Sequence, residues 1–408
     1  MAEHELNGVE RVDAAIVGAG VAGLVTAREL DRQGLDVLVL EARDRVGGRT
    51  HTQPVGEDAW VDVGGQWVGP GQDRIIALAA ELGIELFQTY TDGDPRFLIG
   101  GTETSYERPA IAAALSALDA MAAELPIEEP WTHPRASDWD ARTVDTWLAG
   151  QIVDDPVARR FIDIFISGIF TAAPAELSLL HALVYIRSAG SIRALVTAQD
   201  QRLMGGAQEV ANRIAEQLGP RVRLGMPVRG IIQGEGVVDV EADGLVIRAR
   251  RVVVAVPIGV ADRIWHRPPL PAGRAQLHQR FAPGSVIKIN VVYPEPFWRE
   301  QGLNGRMLSD DPPFSVTFDN SPPTGSLGIM VVFSEATTRG ASAALHRPNA
   351  AELSSTSSSV TTGRRRLNRS TTSRWTGRRR SGLAAVTERT SHPAHGRGTA
   401  RRSVSRSG

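Results

Sequence analysis

The chain has 408 residues, 42% of them hydrophobic and 22% charged, with a formal net charge of −1, and that length allows two domains and a large core. It has no cysteine, which excludes a disulfide framework, a thiolate metal site, a cysteine nucleophile and a cysteinyl link to a cofactor. The near-neutral total hides an asymmetry: residues 336–408 hold 15 arginines against two acids, about +13, so the first 335 carry about −14.

The first eleven residues are polar and charged, and no apolar run reaches membrane-spanning length, so a cytoplasmic protein without leader or membrane span is expected. Residues 14–17 are apolar and read as a short buried strand. Gly18, Gly20 and Gly23 follow in Gly-x-Gly-x-x-Gly spacing, and a helical pattern then places Leu24, Ala27 and Leu30 on one face. Gly34 stops that helix, and 37–40 form a second buried strand ending at Glu41. This is a complete βαβ unit at the length expected for dinucleotide binding. Gly18 permits the tight turn, Gly20 lets a pyrophosphate approach the backbone, and Gly23 lets helix and strand pack closely. The helix N-terminus offers unpaired N–H groups and about half a positive charge to the diphosphate. Glu41 sits where a carboxylate accepts both ribose hydroxyls and repels a 2′-phosphate. A glycine-rich turn in a plain α/β domain is the bland alternative; the second strand and its terminal acid argue against it.

Next come Asp44-Arg45-Val46-Gly47-Gly48-Arg49-Thr50, where paired glycines and flanking arginines extend the phosphate-binding surface. A strand at 59–63 leads to Gly64-Gly65-Gln66-Trp67, and 73–82 reads as an amphipathic helix. This order of segments, with Glu41-Ala42-Arg43 between the first and second, resembles the flavin-dependent amine oxidases. The resemblance implies that the glycines, Glu41, Ala42, Arg43, Gly48, Arg49, Gly65, Gln66 and Trp67 contact the adenosine, diphosphate and isoalloxazine parts of FAD. The second segment separates this group from nicotinamide-dependent dehydrogenases.

Residues 89–203 are mostly helical in pattern, with candidate helices at 110–125, 143–150, 157–170 and 177–188, and read as a cap over the flavin. Trp131, Trp139, Trp147 and Phe170 read as core aromatics in preference to a cavity lining. A helix at 207–218 follows. Strands at 222–224, 228–232, 237–241, 245–248 and 252–256 then form a small meander. By resemblance the Val228 backbone lies near the adenine.

Residues 283–293 alternate as a strand around Lys288, the one lysine in the chain. An exposed lysine on an amphipathic strand is the bland reading. A buried ammonium, whose pKa drops in a way arginine cannot imitate, is the functional one. The flanking residues closely resemble the monoamine oxidase group, where this lysine holds a water against flavin N5, so Lys288 is the candidate catalytic residue.

After Glu335 the composition changes to Ser, Thr and Arg, without lysine, tyrosine or phenylalanine. Taken alone, 336–408 reads as a disordered basic tail. Only Trp375 is available to stack on bases, so no specific nucleic-acid partner is expected. A frameshift is the hypothesis for its origin. Codons can be chosen for 350–363 so that dropping two bases gives Arg-Gly-Ala-Val-Leu-Asp-Glu-Leu-Val-Arg-Tyr-Tyr-Gly, an amphipathic helix with a glycine stop. The same shift turns 385–400 into a segment resembling the one before the last flavin-binding motif of the family. Sequencing the gene tests this, and an intact frame with unrelated codons would sink it.

The expected fold is α/β. A Rossmann-like, glutathione reductase-type FAD domain (1–88 and 206–282) is joined to a mixed α+β substrate domain (89–205 and 283–335) and a disordered tail (336–408). The resemblance implies a monoamine oxidase or putrescine oxidase-like enzyme with non-covalent FAD, a primary amine and oxygen as its small-molecule partners, and a homodimer as the assembly to test. A related FAD desaturase or oxidase, and an inactive FAD-binding remnant, stay open. No metal-ligand spacing or nucleophilic triad is evident.

Overall fold

A computed structural model describes residues 9–56, 58–152, 154–281, 283–311 and 315–335, together with the backbone of Ala385–Arg389. Its first sheet runs in the order Val222–Arg223, Val37–Leu40, Val9–Val17, Leu245–Val254, Val238–Ala242, Val228–Gln233, Trp265–Arg267. Val9–Val17 lies parallel to both Val37–Leu40 and Leu245–Val254, as the βαβ reading requires. Alternation explains why these strands read as continuous apolar runs. Ala14, Ile16, Val37 and Val39 pack on one face against the helices Val21–Arg32 and Glu209–Leu218, while Ala15, Val17, Leu38 and Leu40 pack on the other. Each valine, leucine or isoleucine among them contributes about 1.5–3 kcal/mol when fully buried.

Of the strand boundaries that differ from the sequence reading, two change how the first sheet is built. The first strand starts at Val9, because residues 9–12 pair with the extended Leu245–Val254. The meander's last two strands are one ten-residue strand, antiparallel to Val238–Ala242 and parallel to Val9–Val17. Arg248, Arg250 and Arg251 interrupt the apolar pattern there without breaking the strand. Arg248 forms a bidentate pair with Asp239 at 2.7 and 2.8 Å, and Arg250 reaches Asp13.

The second sheet runs Ala385–Arg389, Val286–Tyr293, Gly328–Glu335, Val316–Asp319, Leu303–Ser309, Asp94–Ile99, Thr102–Glu103. The stretch 89–203 therefore contributes strands as well as helices. Pro109–Ala123, Pro156–Phe170 and Leu179–Ala189 pack into one core with Phe97, Ile99 and Leu308 of that sheet. Side chains of Thr143, Asp155, Ser178 and Ser191 cap four helix N-termini in this layer, supplying acceptors to otherwise unpaired N–H groups. Trp139 and Trp147 are core and Phe170 packs against it. Trp131 departs from the core expectation: it is 67% exposed, in the short turn Pro130–Thr132 that follows two glutamates.

Of the stretch read as a disordered tail, Ala385–Arg389 is a strand antiparallel to Val286–Tyr293, and the rest lies outside the described residues, as do the segments of the frameshift reading other than these five. No helix among the described residues is long and apolar enough to cross a membrane.

Candidate active site

Three glycine-bearing loops meet above the first βαβ unit. Gly18 has φ +103°, and a Cβ there would sit 2.8 Å from Val256 Cγ1 and 3.0 Å from the Ala255 carbonyl oxygen. At Gly23 a Cβ would lie 2.0 Å from the Gly18 carbonyl oxygen, so helix and turn touch backbone to backbone. At Gly20 it would meet nothing within 4 Å. The three glycines thus divide the work as their spacing predicts: turn, open access and close packing. The helix begins at Gly20 with no side-chain cap and no acid in its first turn, leaving its N–H groups facing the open side.

The second loop is tied to the first by a hydrogen bond from Gly47 N to the Ala19 carbonyl, 2.9 Å. The third is tied to the second by Gly65 N to the Arg49 carbonyl at 3.0 Å and Val63 N to the His51 carbonyl at 2.8 Å. A Cβ at Gly64 would sit 2.1 Å from that same Arg49 oxygen, while one at Gly65 would meet open space. The structure therefore brings Gly48, Arg49, Gly65, Gln66 and Trp67 onto one surface with Gly18–Gly23. Arg49 is exposed, but Arg45 turns inward, donating to the carbonyls of Val46, Gly48 and Thr50 and bracing the loop.

Glu41 is buried, and both its oxygens accept backbone N–H groups, from Ala19 at 2.8 Å and Arg43 at 2.9 Å. Each oxygen keeps a second lone pair for a hydroxyl. Met226 N donates to the Glu41 carbonyl and Gly225 N to that of Arg43, each at 2.8 Å, which places the start of Val228–Gln233 beside Glu41, Ala42 and Arg43. Open space at Gly20 and Gly65 and an uncapped helix N-terminus fit a dinucleotide.

Lys288 is buried on Val286–Tyr293, the strand that carries it across to this surface. Its Nζ donates to the Gly64 carbonyl at 2.7 Å and to Gln66 Oε1, and lies 5.5 Å from the Trp67 ring centroid and 6.0 Å from that of Phe333. Burial pushes the amine down to about 7; the Asp62 charge opposes this and the Arg202 charge adds to it. Asp62, also buried, accepts from Thr52 Oγ1 at 2.6 Å and Ala207 N at 2.9 Å, and burial raises its carboxyl above the usual range. Arg202 is 1% exposed; its Nη1 donates to the carbonyls of Asn320 and Ser321, and burial lowers it to about 10, so it stays charged at neutral pH. Asp62 Oδ2 and Arg202 Nε and Nη2 are buried without a hydrogen-bond partner among the described residues.

Sequence reasoning found Lys288 and Gln66 but not Asp62, Arg202, Asn290 and Asn320. A charge between Val61 and Val63, and an amide between Ile289 and Val291, were the available signals. No group of acids and histidines among the described residues has the form of a metal site.

Residues 21–347 match the family model described as flavin containing amine oxidoreductase. The chain is 39% identical over 352 residues to putrescine oxidase of Kocuria rosea, a match covering 80% of this chain and 73% of that protein. It is 36% identical over 326 residues to the probable flavin-containing monoamine oxidase A of Dictyostelium discoideum, covering 76% and 71%. Solved structures with a similar fold include putrescine oxidase bound to putrescine (TM-score 0.78, 37% identity, 85% of this chain and 79% of that one). Another is the cyclohexylamine oxidase of Brevibacterium oxydans (TM-score 0.79, 32% identity, 84% and 79%).

Proposed function

The chain belongs to the flavin containing amine oxidoreductase family, and from that premise we propose that it binds FAD non-covalently and converts a primary amine to an aldehyde, ammonia and hydrogen peroxide. One observation carries the reading: Lys288, arriving from the second sheet, donates to the carbonyl of Gly64 in the same loop system that closes over the Gly18–Gly23 turn. A nucleotide cradle and a buried amine thereby share one surface.

FAD, when bound, supplies the electron chemistry, taking a hydride equivalent from the carbon that bears the neutral amine and passing the electrons to oxygen. The chain's residues position and enclose it. Gly18, Gly20, Gly23 and the helix N-terminus would hold the diphosphate, with Gly48 and Arg49 beside it. Glu41, Ala42, Arg43 and Val228 would hold the adenosine end. Gly65, Gln66, Trp67 and Lys288 would border the flavin ring. An amine held near 7 by burial exchanges its proton at neutral pH, so Lys288 can hold or release one beside the reacting centre. The absence of cysteine makes the cofactor link non-covalent at this residue type.

Purified protein should show flavin absorbance that a primary amine bleaches without oxygen and that oxygen restores with peroxide release. Denaturation should free FAD into the supernatant. Bound flavin that no amine of a panel reduces would overturn the reading.

A further inference from the structure

Four buried side chains form a hydrogen-bonded series between the second sheet and the segment that runs from Asp62 to Trp67. Lys288 Nζ donates to Gln66 Oε1, Gln66 Nε2 to Asn320 Oδ1 at 2.7 Å, Asn320 Nδ2 to Asn290 Oδ1 at 2.8 Å, and Asn290 Nδ2 to the Asp62 carbonyl at 3.4 Å. Asn290 and Asn320 have no solvent exposure at all. We propose that Asn320 is a positioning residue for Lys288: it locks the Gln66 amide with its carbonyl oxygen toward the lysine, through a one-way chain of amides anchored on the Asp62 backbone.

The direction is fixed by the ends. A backbone carbonyl only accepts, so Asn290 turns its NH2 to Asp62, which leaves Asn290 Oδ1 facing Asn320. Asn320 must then donate, leaving its own Oδ1 for Gln66, and Gln66 must donate, leaving its Oε1 for Lys288. Reversing any one amide sets two oxygens or two NH2 groups face to face in a site without solvent, a cost no member can relieve. Asn320 is itself fixed through its backbone, its N–H donating to the Ile329 carbonyl at 2.7 Å and its carbonyl accepting Arg202 Nη1 at 2.9 Å.

The effect falls on one proton. Gly64 O and Gln66 Oε1 take two N–H groups of Lys288, which is all a neutral amine has, so the remaining N–H or lone pair points away from both. A Gln66 amide turned around would offer an NH2 that an ammonium cannot accept. The charged groups facing Lys288 are Asp62 from Ala59–Asp62 and Arg202 from Gln201–Leu203, and Glu388 stands opposite it in backbone register. The Asp319 carboxylate is taken up by Trp298 Nε1 and Arg299 Nε.

The relevance to turnover rests on the amine oxidase reading, but the test does not. Lys288 is the one lysine in the chain, so protein labelled with 13C at lysine Cε gives one lysine signal whose pH titration reads this amine alone. In Asn320→Leu the titration midpoint should fall by about one unit, because the ammonium loses an enforced acceptor. Gln66→Met should lower it similarly, and the double variant should shift it no further than the larger single shift. If Asn320→Leu does not fold, Asn290→Leu releases the next link and should move the midpoint the same way by less. An unmoved midpoint in a folded variant, or single shifts that add in full, would overturn the proposal. Amine turnover measured in parallel separates the two claims: a shifted midpoint without turnover leaves the chain of amides and removes the activity, and turnover with an unmoved midpoint does the reverse.

Discussion

The cradle around Gly18–Gly23 and the cluster around Lys288 adjoin, yet they are built from opposite materials. The cradle is mainly backbone: N–H groups, carbonyls and three glycines whose missing Cβ atoms set turn, access and packing, with Glu41 as its buried acid. The cluster is side chain: one amine, one carboxyl, one guanidinium and three amides, buried together. A backbone site fails when atoms are added. A side-chain site tolerates shape but fails when a charge or an amide loses its partner.

The sharpest way to break this contrast is Gly23→Val. Its Cβ would sit 2.0 Å from the Gly18 oxygen and 3.3 Å from Ala255 Cβ, with no flexible end to yield. We expect no folded, flavin-retaining protein, read by absorbance of the purified fraction; a yellow, stable variant would refute the backbone account. Arg202→Met comes next. It removes one of the charges that offset the buried Asp62 and leaves the carbonyls of Asn320 and Ser321 without their donor, for a loss of about 1–3 kcal/mol. Chemical denaturation should show that loss, reduced in the double variant with Asp62→Asn.

Lys288→Met tests the sign of the charge effect. The amine is held near 7 in the folded chain against an ordinary value of 10.5, so the unfolded chain binds its proton more readily. The resulting destabilisation is full below about pH 7, fades as pH rises toward the unfolded value and is absent above it. The variant's gain in Tm over the parent should therefore be largest near pH 6 and shrink by about pH 9, and a constant gap would contradict this. Glu41→Gln is smaller. An amide satisfies one of the two backbone donors and opposes the other, for a loss of about 1–3 kcal/mol with weaker flavin retention.

The same contrast decides what could be read in advance. The cradle was legible because its requirements are local: glycines two and three residues apart, one helix, one terminal acid, all within 14–43. Lys288 stood out as a lone lysine among arginines. Its surroundings did not, because Gln66 meets Asn320 and Arg202 meets Asn320 across 254 and 118 residues of sequence, where Trp67–Val68 and Gln201–Leu203, paired with each other, lie against the second sheet. The single strand Leu245–Val254 was misread for a related reason. Its arginines find acids on Val238–Ala242 and Val9–Val17 that periodicity cannot supply.

The lone lysine has one more consequence. An aldehyde condenses with lysine amines to form imines, and guanidinium groups do not react with simple aldehydes in this way. On the proposed reaction, aldehyde would be released beside the protein's own surface at every turnover. This chain carries its surface basicity as arginine and keeps its one side-chain amine enclosed and hydrogen-bonded. Intact mass after prolonged turnover and borohydride trapping should show at most the adduct of the chain's first amine and of Lys288, where a lysine-rich surface would give a ladder. The choice of basic residue would then act as protection against self-modification.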